Sequence, residues 1–432
     1  MSSIQEWSDI KLKYIAKINP SKSEISIIDD TKVTFLPMEN ILSPGNVDLS
    51  LKKSLEDVYS GYTYFKENDL IVAKVTPCFE NGNIAIMQGL SNGIGFGTTE
   101  LHVIRVNEGE YNKKFFYYAL QADDFKTEAV SNMYGVGGLK RIPPEFVCNY
   151  KFKVPPIQIQ NKVVEFLEQK TKNIQHLIDD KERLITLLEE QRQSIITEAV
   201  TKGLNPNVKM KDSGVEWIGE IPEHWSCSKF KYVGKLLNGY AFPSTDFTTS
   251  GVRVIKITNI QSMNIDWSDE SFIDETYYDK LPQFRVYKND LVFALTRPII
   301  SSGIKAAIVN AEEKILLNQR NALYRSGNSI ISSWLYYIML HKLFVQEFES
   351  YIDRTGQQPN ISSTDIENIK IPIPKLEEQY EIVNYLDNEC NDINDVITKN
   401  KKLIEKLKDY RQSLIYEAVT GKIDVRDFEI EA

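Results

Sequence analysis

The stretch Arg192-Gln193-Ser194-Ile195-Ile196-Thr197-Glu198-Ala199-Val200-Thr201 returns as Arg411-Gln412-Ser413-Leu414-Ile415-Tyr416-Glu417-Ala418-Val419-Thr420. A shift of 219 residues carries the match outward without a gap, aligning 150–203 with 369–422, and roughly a third of those positions are identical, which marks an internal repeat. Entry into each copy is matched too: Lys151-Phe152-Lys153-Val154-Pro155 faces Lys370-Ile371-Pro372-Ile373-Pro374, a strand end stiffened by proline before a helix. Further upstream the repeat thins to anchors. Trp7-Ser8-Asp9-Ile10-Lys11 answers Trp225-Ser226-Cys227-Ser228-Lys229, with Lys17 and Lys235 in register; Asn68-Asp69-Leu70-Ile71 answers Asn289-Asp290-Leu291-Val292, and Phe116-Tyr117-Tyr118 answers Leu335-Tyr336-Tyr337. Between the anchors the halves diverge. The chain therefore reads as variable block, helical block, variable block, helical block.

The helical blocks span approximately 157–203 and 376–421. In the second, Leu386, Cys390, Ile393, Ile397, Asn400, Ile404, Leu407, Arg411, Leu414 and Ala418 fall at alternating steps of four and three, the spacing of a coiled-coil seam. The first block repeats it from Leu167 to Ala199. Helices of that length reach about 70 Å at ~1.5 Å per residue, and one apolar stripe on each needs a partner. The other copy is the natural one. A pseudo-two-fold axis relating the copies makes the pair antiparallel and places the variable blocks at opposite ends. Lys181/Asn400 and Arg192/Arg411 interrupt the stripe at matching heights, either as a polar layer fixing register or as an attachment point for other proteins. The variable blocks read as β-rich, with strands in the runs Asp69–Val75, Gly251–Ile257 and Asp290–Leu295, and short buried helices at Phe115–Ala119 and Trp334–Leu340. Asn205-Pro206-Asn207 through Asp212-Ser213-Gly214 reads as a linker. The expected fold class is α+β: two β-rich globular domains separated by a pair of long antiparallel helices, with pseudo-two-fold symmetry.

Composition bounds the function. Hydrophobic residues at 42% and charged residues at 26% belong to a soluble globular chain. No apolar run is long enough to span a membrane, and Met1–Trp7 lacks a basic-then-apolar leader, so the expected location is the cytoplasm. Cys78, Cys148, Cys227 and Cys390 are scattered, as are the four histidines, and no metal site is expected. A net charge of −9 argues against a nucleic-acid binder until its distribution is read. Residues 351–400 hold four basic and ten acidic residues, whereas 201–350 hold 17 basic and 16 acidic. Local basic patches on the variable blocks remain open.

The helix endings Arg192–Gly203 and Arg411–Lys422, the linker Lys211–Trp225 with its Val215-Glu216-Trp217-Ile218-Gly219-Glu220-Ile221-Pro222 core, and Thr355-Gly356-Gln357-Gln358-Pro359-Asn360-Ile361 together resemble the specificity subunit of Type I restriction-modification systems. The first block departs from the last pattern, with Tyr134-Gly135-Val136-Gly137-Gly138-Leu139-Lys140 in its place. The resemblance implies target-recognition domains at 1–153 and 213–372, with helical spacer regions at 154–212 and 373–432. Each recognition domain would read one half of a split, asymmetric double-stranded DNA site. Two modification subunits, adenine methyltransferases, would dock on the spacer, and restriction/translocase subunits would join for cleavage. S-adenosylmethionine, ATP and Mg would belong to those partners, with no cofactor held here.

Base reading calls for Arg or Lys toward guanine, Asn or Gln toward adenine, and apolar or hydroxyl groups toward thymine methyls. Candidates in the first block are Lys74 and Thr76 after a matched strand, and Lys140 and Arg141 beside the glycine-rich turn. The second offers Thr296, Arg297, the run Asn318-Gln319-Arg320-Asn321, and Arg354, Gln357, Gln358 and Asn360. Spacer candidates for partner docking are Arg192, Gln193, Glu198, Arg411, Gln412 and Glu417. Each has a plainer reading as a solvated surface residue or turn former.

Catalysis is not legible. Methyl transfer to an extruded base needs a glycine-rich cofactor loop and an Asn/Asp-Pro-Pro-aromatic clamp; Gly93-Ile94-Gly95-Phe96-Gly97 lacks the following helix, and Pro143-Pro144 precedes Glu145-Phe146 without the amide or acid before it. No GxxxxGK[ST] loop is present. A coiled-coil scaffold that never touches DNA would explain the helices and the acidity, and a solitary enzyme would show turnover unaided. Two dissimilar blocks on a matched frame favour recognition of two things.

Overall fold

The computed structural model describes residues 7–25, 31–42, 45–136, 138–262 and 264–429. The N-terminal Met1–Glu6 and Gly137 of the glycine-rich turn lie outside the described residues. The chain divides into two units: the first holds 1–182 and 401–432, the second 183–400.

Each unit is built on a four-stranded antiparallel sheet. In the first its order is Ala16–Ile18, Leu101–Val106, Leu70–Ala73, Ile84–Ile86; in the second it is Gly234–Asn238, Asn321–Ser326, Leu291–Ala294, Ala306–Ile308. Register is conserved between the units: Lys17 sits opposite Arg105 as Lys235 sits opposite Arg325. Leu70–Ala73 and Leu291–Ala294 are buried throughout, as central strands covered on both faces must be. The turn before each strand explains the Asn-Asp anchor. Asn68 and Asn289 take φ of 71° and 69°, a left-handed conformation asparagine tolerates. The following carboxylates, Asp69 and Asp290, accept from the backbone N–H of Lys66 and Tyr287 at 2.8 and 2.7 Å.

A second sheet, where the halves diverge in sequence, keeps a parallel pair in both units, Thr34 opposite Gly95 and Arg253 opposite Ile315. A two-stranded ribbon returns each chain to its long helix, Ser8–Lys11 against Lys151–Val154 and Ser226–Lys229 against Lys370–Ile373. The segment read as a linker is partly structured. Met210–Asp212 pairs with Glu220–Pro222, because Trp217, Ile218 and Ile221 bury into the second unit's core and pull the chain back into a hairpin.

The long helices span Ile157–Lys202 and Leu376–Val419. Within each unit they run antiparallel. In the first, Lys162 Nζ donates to the carbonyl of Phe428 and Arg411 Nη1 to Gln175 Oε1; in the second, Arg192 Nη1 donates to Asn394 Oδ1, and the Gly203 backbone lies beside Glu378. The seam is buried as the spacing requires: Leu167, Ile174 and Ile178 in one unit, Leu386, Cys390 and Ile393 in the other.

Of the polar interruptions of that seam, Arg192 and Arg411 obey the duplication, whereas Asn400 is buried with Nδ2 donating to the Val396 carbonyl at 2.8 Å and its repeat equivalent Lys181 is half-buried. Asn394 is the repeat equivalent of Gln175, so Arg192–Asn394 (2.5 Å) and Arg411–Gln175 (2.8 Å) are one contact made twice. Gln193 Nε2 donates to the Leu340 carbonyl at 2.8 Å and Gln412 Nε2 to the Gln121 carbonyl at 2.5 Å, again equivalent pairs. At the other end of each block, Gln160 Oε1 accepts from the Asn112 N–H and Gln379 Oε1 from the Ile331 N–H, at 2.8 and 3.0 Å. Both glutamines are buried, where an unpaired amide would be costly.

Candidate nucleic-acid interface

The end of the central strand organises the candidate site in each unit. In the first unit Lys74 N–H donates to the Glu100 carbonyl at 2.9 Å, and the Lys74 carbonyl accepts from Ile142 N–H at 2.9 Å. In the second, Leu295 N–H donates to the Arg320 carbonyl at 2.9 Å, and the Leu295 carbonyl accepts from Ile361 N–H at 3.0 Å. Two residues further on, Thr76 N–H bonds to the Lys140 carbonyl at 3.0 Å and Arg297 N–H to the Pro359 carbonyl at 2.8 Å. Three segments thus meet at one place: the strand exit, a turn ending at Glu100 or Arg320, and a hairpin closed by Tyr134–Arg141 or Asp353–Asn360.

The hairpin is alike in both halves despite its departure in sequence. Tyr134 and Arg141 exchange N–H···O bonds at 3.1 and 2.8 Å, and Asp353 and Asn360 do so at 2.7 and 3.0 Å. What differs is what the loop presents. The first shows Val136, 90% exposed, and Leu139 beside Lys140; the second shows Arg354, Thr355, Gly356 and Gln357 to solvent.

Most sequence candidates fall into these clusters, with different degrees of freedom. Lys140, Arg297, Gln319, Arg320, Arg354, Gln357 and Asn360 are exposed, while Lys74, Arg141, Asn318 and Gln358 are half-buried. Thr76 is occupied: its hydroxyl donates to the Gly138 carbonyl at 2.7 Å and accepts from Lys140 N–H at 3.0 Å, fastening the hairpin. Thr296 is nearly buried in the bridge to Asn360. Arg354 pairs with Glu349, and Asn360 Nδ2 donates to the Gln358 carbonyl. Asn321 is a correction. It opens a buried strand with no exposure, and its Nδ2 donates to the Ile255 carbonyl at 3.1 Å, so it fixes the turn from inside and cannot reach a base edge.

The structure also adds residues that the sequence reading passed over. Glu100 holds Arg141 through two nitrogens, Nε to Oε2 at 2.9 Å and Nη2 to Oε1 at 2.8 Å. That pairing keeps the Glu100 carboxyl below its usual range and raises the Arg141 guanidinium above its own. Beside Lys74 a hollow of about 360 Å³ is lined by Asn19, Ser21, Lys22, Thr63 and Thr99. Under the cluster, His102 is buried, with Nε2 2.9 Å from the Ile142 carbonyl, and burial lowers its pKa. No signal in the sequence joins Glu100 to Arg141, because 40 residues and a sheet crossing separate them.

Of the spacer candidates, Arg192, Gln193, Arg411 and Gln412 make the internal contacts described above. Glu198 is exposed and Glu417 half-buried. No group of three or more His, Cys, Asp or Glu side chains among the described residues could hold a metal ion. No helix among them is long and apolar enough to cross a membrane.

Comparison with known proteins gives a family model, the Type I restriction modification DNA specificity domain, matching residues 4–185 and again 222–406. The EcoAI Type I restriction enzyme specificity subunit of Escherichia coli is 28% identical over 92% of this chain and 80% of that protein. The MjaVIII specificity subunit of Methanocaldococcus jannaschii is 32% identical over 67% of this chain and 66% of its own length. A solved chain from work on assembly and conformational transition of the type I R-M system superposes with a TM-score of 0.76 at 18% identity, covering 97% of this chain and 98% of that one.

Proposed function

The chain belongs to the Type I restriction modification DNA specificity domain family, and from that premise we propose how its two units divide the work of recognition. It is a specificity subunit: it supplies DNA-sequence recognition to a Type I restriction-modification complex. Each unit reads one half of a bipartite site with its own three-segment cluster. The observation that carries this division is the cluster itself, built twice on the same backbone hydrogen bonds and furnished differently. Glu100 stands where the second unit has Arg320, Arg141 where it has Asn360, and an apolar loop where it has a polar one. A common frame with unlike side chains reads two unlike half-sites, so the whole site is asymmetric.

The long helices set the unread gap and carry two modification subunits, whose S-adenosylmethionine chemistry methylates adenine, while restriction subunits use ATP and Mg for cleavage. This chain contributes no catalytic group to either reaction. Exposed Leu177, Leu187, Leu403 and Tyr410 on the helices suit a protein partner better than water. The reading is tested by mapping methylated adenines in host DNA with and without the gene. A split, asymmetric motif that disappears on deletion is the expected result; an unchanged methylation pattern overturns it. A scaffold without DNA binding predicts equal affinity of the assembled complex for all duplexes.

A further inference from the structure

Resting on that reading, we propose that Arg141 reads a guanine in the half-site of the first unit and that Glu100 is the positioning residue that aims it. The pair has a side-on geometry like that of Arg105 with Asp69, and differs in its place at the three-segment cluster. Glu100 grips the side of the guanidinium that bears Nε, with Nε at 2.9 and 3.1 Å from its two oxygens and Nη2 at 2.8 Å from Oε1. The bonds to Glu100 use Nε and one hydrogen of Nη2, so the end-on edge of the fork, Nη1 with the second hydrogen of Nη2, is left over for a ligand on this partly exposed side chain. Two parallel donors on that edge match O6 and N7 of guanine in the major groove.

Both residues sit where the backbone has already gathered the three segments. Arg141 is bridged to Val75 and to Tyr134, and Glu100 accepts through its carbonyl from Lys74. Their side chains keep 39% and 26% of their exposure, enough to meet a ligand and too little to wander. Holding a long side chain in one orientation beforehand removes rotamer entropy that would otherwise be lost on binding.

Charge decides between a base and a phosphate as the target. A phosphate contact needs net positive charge and tolerates a mobile side chain, as at Lys140. The Arg141–Glu100 pair is neutral as a whole, and its carboxylate would repel a phosphate oxygen. A base edge has no net charge, so directed hydrogen bonds suffice there. The second unit lacks this device: Asn360 replaces Arg141 and its amide donates to the Gln358 carbonyl at 2.9 Å, while Arg320 occupies the place of Glu100. Guanine reading by a carboxylate-held arginine therefore belongs to one half-site.

The test uses the chain assembled with its modification subunits and duplexes carrying the mapped site, with each guanine replaced in turn by 7-deazaguanine, which removes the N7 acceptor. One guanine of the half-site assigned to the first unit is expected to lose affinity by on the order of tenfold. In Arg141→Gln that sensitivity disappears at that guanine alone. In Glu100→Gln it weakens at the same guanine, where loss of a merely structural ion pair would lower affinity for every duplex alike. A wild-type complex indifferent to 7-deazaguanine throughout that half-site overturns the proposal, as does a sensitivity that survives in Arg141→Gln. If Arg141→Gln does not assemble, the wild-type series and Glu100→Gln still decide it. Equal binding of the wild-type complex to site and non-site duplexes would instead sink the reading of the chain as a DNA recogniser.

Discussion

His341 shows how a single side chain couples the fold to pH. It is buried, its Nδ1 accepts from the Phe344 N–H at 3.3 Å as a helix N-cap, and burial lowers its pKa to about 4. The imidazole is therefore neutral when folded and accepts a proton readily only when unfolded. Since the folded value lies below the unfolded 6.5, stability from this group is full above about pH 6.5 and falls as pH drops toward 4. The loss is about 2 kcal/mol by pH 5. Thermal unfolding at pH 7.5 and 5 should show a larger decrease for the wild type than for His341→Asn, whose amide still caps but does not titrate. An identical decrease in both would remove the histidine from the account. At this scale the sequence was only half legible. The polar run Asn318–Asn321 reads as a uniform reading loop, yet Asn321 is buried because it is the first residue of an interior strand that is covered on both faces. Glu100 escaped notice because its partner is defined by strand pairing, which no local pattern records.

The long helices were the most legible elements. A seam of steps of three and four extends over many turns, and the observed ends, Ile157–Lys202 and Leu376–Val419, fall within two residues of the blocks expected. What terminates them is also built twice. Gly203 and Gly421 both take φ of +74°, and a Cβ on Gly421 would stand 3.0 Å from the Trp7 ring, while one on Gly203 would stand 3.3 Å from the Trp225 ring. Tryptophan thus packs against the glycine that ends the helix in each unit. Gly421→Ala should destabilise the first unit by about 1–2 kcal/mol from the left-handed backbone alone, with the tight ring contact adding to it. Chemical denaturation would reveal this as a lower midpoint at unchanged slope. Gln193→Ala removes one side chain to carbonyl bond, at about 1 kcal/mol, and Gln412→Ala removes the equivalent bond together with one to Asp123 Oδ1 at 2.9 Å, so its cost is the larger of the two. Because the two side chains belong to different units, the double variant should lose the sum, and a marked departure from additivity would argue against independent anchors. The hairpin at 210–222 was not legible as structure. Its turn residues read as a linker, and only the burial of Trp217, Ile218 and Ile221 turns that linker back on itself.

For the molecule as a whole, the duplication explains how recognition can change without loss of the frame. Beside side-chain pairs such as Tyr337 with Asp387 and Asn112 with Asn161, four anchors repeated between the units engage main-chain atoms: Gln412 takes the Gln121 carbonyl, Gln160 the Asn112 N–H, Gln193 the Leu340 carbonyl and Gln379 the Ile331 N–H. Main-chain partners persist whatever side chains surround them. The cluster proposed to meet DNA is likewise assembled from backbone bonds, so its side chains are free to differ, as they do between the two units here. Replacing residues 1–150 by the corresponding block of a relative with another specificity should therefore alter one half of the methylated motif and leave the other half as it was. The graft needs a left-handed turn at the place of Asn68, a ring at the place of Trp7 against Gly421, and a hairpin closing as Tyr134 and Arg141 do. Methylation mapping of cells carrying the hybrid measures the outcome directly. Changes in both halves would mean that the blocks do not read independently, and that the shared frame transmits sequence preference as well as position.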